Sequence, residues 1–172
     1  MSVETATEPS PDGPPRGGGL LKVVNPANGE TLREVAEDGP EEIARRVERA
    51  RKAQVGWAKT PLAERKAALA GFGGAIAQRK EELATLLTSE MGKPIAQSRN
   101  ELIALQSRLK FFLGQVEAAL ADEVVHDERG WRERISYEPL GLVANVSAWN
   151  YPYFVGSNVF VPALLAGNAV LY

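Results

Sequence analysis

The chain has 172 residues, of which 44% are hydrophobic and 24% charged, so it can build an apolar core and is too apolar for wholesale disorder. Its 20 basic and 22 acidic residues nearly balance, which gives no electrostatic reason to expect nucleic acid as a partner. The absence of cysteine excludes disulfides, thiolate metal sites and a cysteine nucleophile within these residues. The single histidine, His126, excludes a multi-histidine zinc site.

The charges are distributed unevenly along the chain. The last charged residue is Glu138, and the 34 residues 139–172 carry none. Such a stretch needs cover on most of its sides. Three prolines and four asparagines within it argue against a membrane helix, and membrane insertion is kept only as an alternative. No secretory signal is visible at the N-terminus, so we expect a cytoplasmic protein without membrane partners.

The first predicted structure in the chain is a β-hairpin. Residues 1–19 are rich in Pro and Gly, and we expect them to form a disordered leader. Two short segments follow at 20–24 and 31–35, on either side of a turn that contains Asn28-Gly29. Asn-Gly accommodates the positive φ angles of a tight turn, which predicts that the two stretches pair.

Four amphipathic helices are predicted over residues 37–122. The first begins at Pro40, Thr60-Pro61 predicts a cap for the second, and Gly92 is typical of the C-terminal cap of the third. The fourth carries the clearest apolar stripe, made of Leu102, Leu105, Leu109, Phe112, Val116 and Leu120. We expect these stripes to pack against each other, and the interspersed charges to form a solvated face.

A β-ribbon is predicted after the helices. Val124-Val125 forms its first strand, and the second extends from Trp131 to Glu138. Both faces of the second strand carry polar groups, which indicates a position at the surface or at a subunit contact. His126 lies beside the ribbon, where a solvated histidine is favoured over a catalytic one.

The charge-free segment predicts a β-α-β unit. The apolar stretch that begins at Leu140 is typical of a buried parallel strand, and Pro152 is placed to open a helix that ends near Ala166. A second buried strand begins at Ala169. Ligands bind at the carboxyl ends of strands in open α/β sheets, which here is the turn 147–150. The glycine fingerprint of the usual dinucleotide-binding loop is absent.

Asn150 is the main candidate for chemistry in that turn. Its neutral amide could donate a hydrogen bond to developing negative charge. Residue type and position alone favour a helix cap, since Asn commonly precedes Pro at a helix start. By the same reasoning, Trp149 is expected to be a core or packing residue.

Six short motifs in the chain stand in an order typical of one family. They are Asn25-Pro26-Ala27-Asn28-Gly29-Glu30, Trp57 with Arg65, Glu90-Met91-Gly92-Lys93-Pro94, Glu138-Pro139-Leu140-Gly141, Trp149-Asn150-Tyr151-Pro152, and Pro162-Ala163-Leu164-Leu165-Ala166-Gly167-Asn168. By these motifs the chain resembles the N-terminal part of the aldehyde dehydrogenase superfamily, from about Val24 to Tyr172. The resemblance implies an α/β fold in which a hairpin and helices lead into the first β-α-β unit of a Rossmann-like cofactor domain.

The resemblance also implies an oxidoreductase that converts an aldehyde to a carboxylic acid with NAD or NADP. In that family a cysteine thiolate attacks the aldehyde, and the resulting thiohemiacetal passes a hydride to the nicotinamide. By match to the motif, Asn150 would donate to the oxyanion. Val146, Ser147, Ala148 and Trp149 would line the cofactor site, with Ala148 standing where the family often has proline.

The resemblance further implies that the chain is a fragment, inactive alone, because the family's cysteine and general base lie downstream. We expect a homodimer or homotetramer of the whole enzyme, with a small aldehyde as substrate and no metal. The expected organisation is a leader over 1–19, a hairpin and helices over 20–122, an oligomerisation ribbon over 123–138 and the start of the NAD(P)-binding domain over 139–172. The alternative is a non-catalytic helical interaction protein that retains an enzyme remnant.

Overall fold

The computed structural model describes residues 19–172, so the predicted leader lies outside the described residues except for Gly19. The described elements, in chain order, are β1 (Leu20–Val24), β2 (Thr31–Ala36), α1 (Pro40–Lys59), α2 (Leu62–Gln78), α3 (Lys80–Met91), α4 (Ile95–Ala119), β3 (Glu123–Glu128), β4 (Trp131–Ile135), β5 (Leu142–Ala144), α5 (Pro152–Leu165) and β6 (Ala169–Leu171). None of the helices in this part of the chain is long and apolar enough to cross a membrane.

The predicted N-terminal hairpin is confirmed. Strands β1 and β2 pair antiparallel, with Leu20 opposite Ala36. The backbone N–H of Asn25 donates to the carbonyl of Glu30 at 2.8 Å and closes the turn. Gly29 takes φ +76° there, a left-handed conformation that glycine adopts without steric cost.

Helix α4 is the centre of the helical part. Helices α2, α3 and α5 pack against it, as the apolar stripe of α4 predicts. The buried residues of the main core cluster come from α2, α4 and α5. They are Leu69, Leu109, Val116, Val161 and Leu165. The edge-to-face ring pair Phe72–Phe160, with centroids 5.6 Å apart, lies between α2 and α5.

Gly92 lies where the hairpin turn packs against the end of α3. It ends α3 with φ +69°, and its N–H donates to the carbonyl of Thr88 at 2.9 Å, as expected for a C-terminal cap. A Cβ at this position would lie 2.8 Å from Cγ of Pro26, in the hairpin turn. Glycine is therefore required both by the backbone angle and by the close approach of the turn.

The predicted cap at Thr60 is wrong. Pro61 occupies the N-cap position of α2, and no side chain caps it. Thr60 instead ends α1, where its hydroxyl donates to the carbonyl of Gly56 at 3.2 Å. The hydroxyl was already committed to the last turn of the preceding helix, a competition that a local cap pattern does not reveal.

Strands β3 and β4 form the predicted ribbon. They pair antiparallel across the short turn Arg129-Gly130, and every residue of both strands is exposed. Trp131 and Glu133 share a face, since the indole Nε1 donates to the carboxylate at 2.9 Å. The second strand ends at Ile135 rather than at Glu138.

The predicted β-α-β unit is confirmed, but the prediction that its strands are buried is wrong for the described residues. Both strands are only half-buried and Ala144 is exposed, because the sheet has two strands in this part of the chain. Strands β5 and β6 pair parallel, and α5 connects them. Helix α1 packs beside both strands, and its Trp57 Nε1 donates to the carbonyl of Leu164 at 2.8 Å. Gln54 Nε2 donates to the carbonyl of Gly167 at 3.1 Å. The helical part thus supports the end of α5 that leads into β6.

Candidate functional site

The candidate site begins where β5 ends. The N–H of Asn145 donates to the carbonyl of Leu171 at 2.8 Å and extends the pairing with β6 by one residue. Asn145 is buried, and its Nδ2 donates to the carbonyl of Gly156 at 3.1 Å. The turn that follows is thereby fixed to α5 at a defined position.

Ser147 uses its side chain to hold this turn. Its hydroxyl donates to Oδ1 of Asn145 at 2.6 Å, so both polar ends of the Asn145 amide are paired. The sequence reasoning missed Asn145 as the anchor of the site. The available signal was a polar residue that follows an apolar strand directly, since a buried amide must find partners.

The turn presents apolar and amide groups outward. Val146 is 98% exposed and Trp149 is 77% exposed, and Ala148 and Asn150 are exposed as well. The expectation that Trp149 is a core residue is therefore wrong for the described residues. The indole lies past the end of the half-buried strand β5, where the chain leaves the sheet for α5, and nothing in the described part covers it.

Asn150 does not cap α5. The N-cap position is taken by Tyr151, whose side chain makes no capping hydrogen bond. The carboxylate of Glu101 in α4 fills that role, because its Oε1 accepts from the N–H groups of Tyr153 at 2.9 Å and Phe154 at 3.2 Å. The cap expectation was wrong because a residue distant in sequence supplies the acceptor. The Asn150 side chain therefore makes no capping hydrogen bond to α5.

A buried ion pair stands behind the turn. Lys93 Nζ lies 2.6 Å from Oε2 of Glu101, and the side chains are 8% and 0% exposed. The ammonium also lies 3.7 Å from the ring centroid of Tyr151, a cation–π distance. The expected solvated face is therefore wrong for these two residues, although other charges of the helices form exposed pairs.

A cleft opens beside Tyr151. Its volume is about 390 Å³, and it lies between α4 and the first turn of α5. The residues that line it are Gln97, Asn100, Glu101, Ala104, Tyr151 and Phe154. The cleft therefore adjoins the residue that directly follows Asn150 in the chain.

Tyr153 points away from this cleft. Its hydroxyl donates to the carbonyl of Leu83 in α3 at 3.4 Å. Partial burial raises the pKa of the Tyr153 hydroxyl, and the carboxylates of Glu90 and Glu101 raise it further. The hydroxyl therefore stays protonated, and its hydrogen bond links α5 to α3.

The carboxylate of Glu101 also bears on the absence of the glycine fingerprint. The N-terminus of the helix after the first strand is the usual pyrophosphate site of glycine-fingerprint enzymes. Here Glu101 occupies the N–H groups of Tyr153 and Phe154, so these donors are not available to a phosphate. Any dinucleotide at this site must place its phosphates elsewhere, consistent with the absence of the fingerprint.

The remaining reactive side chains do not join the site. His126 lies on the exposed strand β3. Across residues 19–172, no three His, Cys, Asp or Glu side chains stand close enough together to hold a metal ion. What the turn offers is an exposed amide, Asn150, one residue before Tyr151 of the cleft.

Comparison with known proteins agrees with this architecture. A family model described as the aldehyde dehydrogenase family matches residues 15–172. The 3,6-anhydro-alpha-L-galactose dehydrogenase of Streptomyces coelicolor is 34% identical over 153 residues, which cover 89% of this chain and 31% of that protein.

Two solved structures are similar over the same range. A 3,6-anhydro-L-galactose dehydrogenase in complex with NAP is 28% identical with a TM-score of 0.81, covering 88% of this chain and 32% of that one. A putative methylmalonate-semialdehyde dehydrogenase from Sinorhizobium meliloti complexed with NAD is 27% identical with a TM-score of 0.83, covering 89% and 31%. The chain thus spans about a third of the length of these relatives. Motif order, fold and family match agree, and the chain belongs to the aldehyde dehydrogenase family.

Proposed function

We propose that these residues are part of an oxidoreductase that converts an aldehyde to a carboxylic acid with NAD⁺ or NADP⁺. The observation that carries the proposal is the exposed Asn150 amide, in the turn that follows β5 and one residue before Tyr151, which lines the cleft of about 390 Å³. Family membership supports it, as do the relatives described with NAP and with NAD.

Asn150 is proposed to stabilise the oxyanion of the reaction. An amide N–H donates without titrating, so its contribution does not depend on pH. The Asn150 side chain is not held against the start of α5, because Glu101 accepts from the first N–H groups of that helix. A donor held in place before the reaction costs no reorganisation when charge develops on the substrate oxygen.

Val146, Ser147, Ala148 and Trp149 are proposed to line the cofactor site. The residues suit a nucleotide in two respects: they lie past the end of a parallel strand, and two of them expose large apolar surfaces. Ser147 acts indirectly, because its hydroxyl holds the turn through Asn145. NAD⁺ or NADP⁺, when bound, supplies the hydride acceptor.

The aldehyde is proposed to reach Asn150 along the cleft between α4 and α5. Tyr151 and Phe154 give that cleft an aromatic lining. Tyr153 does not contribute to this lining, because its hydroxyl donates to the carbonyl of Leu83. A small, partly apolar aldehyde fits this lining.

The nucleophile is proposed to come from outside these residues. The 172 residues contain no cysteine, whereas the family reaction uses a cysteine thiolate and a carboxylate base. We therefore expect the residues 1–172 alone to be inactive. The reaction needs the whole protein, in which Asn150 faces the thiolate.

A homodimer or homotetramer in the cytoplasm is part of the same proposal. The exposed ribbon of β3 and β4 supports it, because Val125, Trp131 and Ile135 leave apolar surface open there. We propose that this ribbon lies at a subunit contact. Sedimentation of the whole protein tests the assembly, and cell fractionation tests the location.

Kinetics of the whole protein test the proposed reaction. Reduction of NAD⁺ and NADP⁺ is measured against a panel of small aldehydes, with carboxylic acid formation as the second readout. Asn150→Ala is expected to lower kcat on the order of a hundred- to a thousand-fold, as for loss of one oxyanion donor.

Asn28→Ala is the matched control. It removes an amide from the hairpin turn, where Oδ1 of Asn28 accepts from the N–H of Glu30, so kcat should not change. An equal loss of kcat in both variants would contradict the role of Asn150. Absence of oxidation with either nucleotide would instead favour the non-catalytic interaction protein.

A further inference from the structure

The Lys93–Glu101 pair stands out among the charges of the helical part because it is buried. Other ion pairs of the described helices, such as Lys52–Glu48 and Arg79–Glu82, lie largely in solvent. Burying two charges carries a desolvation cost, and well-packed apolar residues of similar size often give equal stability. Stability alone therefore does not account for this pair.

The pair's contacts converge on the start of α5. Oε1 of Glu101 accepts from the N–H groups of Tyr153 and Phe154, and Oε2 accepts from Nζ of Lys93 at 2.6 Å. A carboxylate at this end of a helix also interacts favourably with the helix dipole. Both oxygens are satisfied, so one buried side chain of α4 binds the first turn of α5 and Lys93 together.

Lys93 holds the residue between the helix and Asn150. Its ammonium lies over the ring of Tyr151, 3.7 Å from the centroid. Tyr151 is the N-cap of α5 and is bonded directly to Asn150. The two members of the pair thus fix the backbone on the C-terminal side of Asn150, while Asn145 fixes the other side of the turn through Gly156.

We infer that Lys93 and Glu101 are positioning residues for Asn150, which set the direction of its amide by fixing the start of α5 and the ring of Tyr151. This inference rests on the proposed function of Asn150. Glu101 itself accepts from backbone groups with one oxygen and from Lys93 with the other. It acts on the reaction through Asn150.

The test uses Glu101→Gln in the whole protein. Glutamine keeps the size of the side chain and removes the charge that holds the two N–H groups and Lys93. We expect kcat to fall by about 10- to 100-fold, the scale of a small misplacement of a reacting group, with KM for the nucleotide changed less than about twofold.

A double mutant separates positioning from a general structural effect. In an Asn150→Ala background, Glu101→Gln should lower kcat by less than about twofold, because the group that it positions is gone. A full additional loss would overturn the inference. Should Glu101→Gln fail to fold, Lys93→Gln replaces it in the same cycle, since that variant leaves the carboxylate in place.

Glu117→Gln is the matched control. Glu117 lies on the same helix and pairs with Lys66 at 2.7 Å, in an ion pair that is partly exposed. The identical substitution there should leave kcat unchanged in both backgrounds. A loss of kcat equal to that of Glu101→Gln would mean that α4 responds to any lost pair, and the inference would be wrong.

Hydrogen exchange gives a readout that does not need activity. In Glu101→Gln the amides of residues 147–156 should exchange faster than in the unsubstituted protein, and in Glu117→Gln they should not. Unchanged exchange overturns the positioning role. Faster exchange in a protein that oxidises no aldehyde upholds the positioning of the turn and refutes only the proposed function.

Discussion

The close approach of Pro26 to Gly92 predicts how three glycine-to-alanine substitutions should differ. Gly92 has φ +69°, and a Cβ there would lie 2.8 Å from the proline ring. Gly29 has φ +76° with no neighbour within 4 Å of its Cβ position. Gly56 lies inside α1 and has neither a positive φ nor a close neighbour. The three positions separate backbone strain, steric contact and helix propensity.

The expected magnitudes follow from these environments. Gly29→Ala should cost about 1–2 kcal/mol, the penalty of a left-handed conformation for an L-residue. Gly92→Ala should cost the same amount and a further 1–3 kcal/mol or so, because the Pro26 ring must move. Gly56→Ala should stabilise the protein by about 0.5–1 kcal/mol, since alanine is the better helix former.

Equilibrium urea denaturation of the whole protein, followed by far-UV circular dichroism, measures the three differences through the shift in midpoint. Adding Pro26→Ala to Gly92→Ala should restore most of the stability lost to the steric contact. It should restore none of the stability lost to the left-handed backbone conformation. The reasoning is refuted if Gly92→Ala costs no more than Gly29→Ala, or if Pro26→Ala recovers nothing.

Two further predictions concern the helical core and the tyrosine that faces α3. Leu105→Ala should lower the free energy of unfolding by about 2–5 kcal/mol, because Leu105 is only 1% exposed and its loss leaves a cavity; urea denaturation checks this, with exposed Ile103→Ala as the mild control. The raised pKa of Tyr153 means that the folded state holds its phenolic proton more tightly than the unfolded chain, so this contribution is complete below about pH 10 and is lost as pH rises through the folded pKa. Tyr153→Phe should flatten the alkaline fall of the thermal midpoint, and an unchanged fall would contradict it.

Regular elements were predictable because their signals are local. The hairpin at Asn28-Gly29, the helix start at Pro40 and the end of α3 at Gly92 each follow from turn or cap chemistry of neighbouring residues. The stripe of α4 predicted its buried face for the same reason, since a 3.6-residue period requires no knowledge of partners.

The start of α5 was not predictable in this way. Its acceptor, Glu101, is separated from Tyr153 by 52 residues, and the same glutamate looks like any solvated charge of an amphipathic helix. Sequence proximity favoured Asn150 as the cap, and a long-range contact replaced it. The prediction that Thr60 caps α2 was wrong for a related reason, because its hydroxyl donates to a carbonyl of α1 instead. The roles of Asn150 and of residues 146–149 came from resemblance and stay predictions.

Helix α5 is held at both ends by residues of α1 and α4, which precede it by many residues in the sequence. Glu101 holds its first turn, and Trp57 and Gln54 bind the carbonyls of Leu164 and Gly167 near its end, across 107 and 113 residues. Chains emerge from the ribosome with the N-terminal part first, so α1 and α4 can already be folded when α5 appears. The helices would then serve as a template on which the site segment forms. A substitution that slows folding of α1 would delay formation of the site without touching any residue in it.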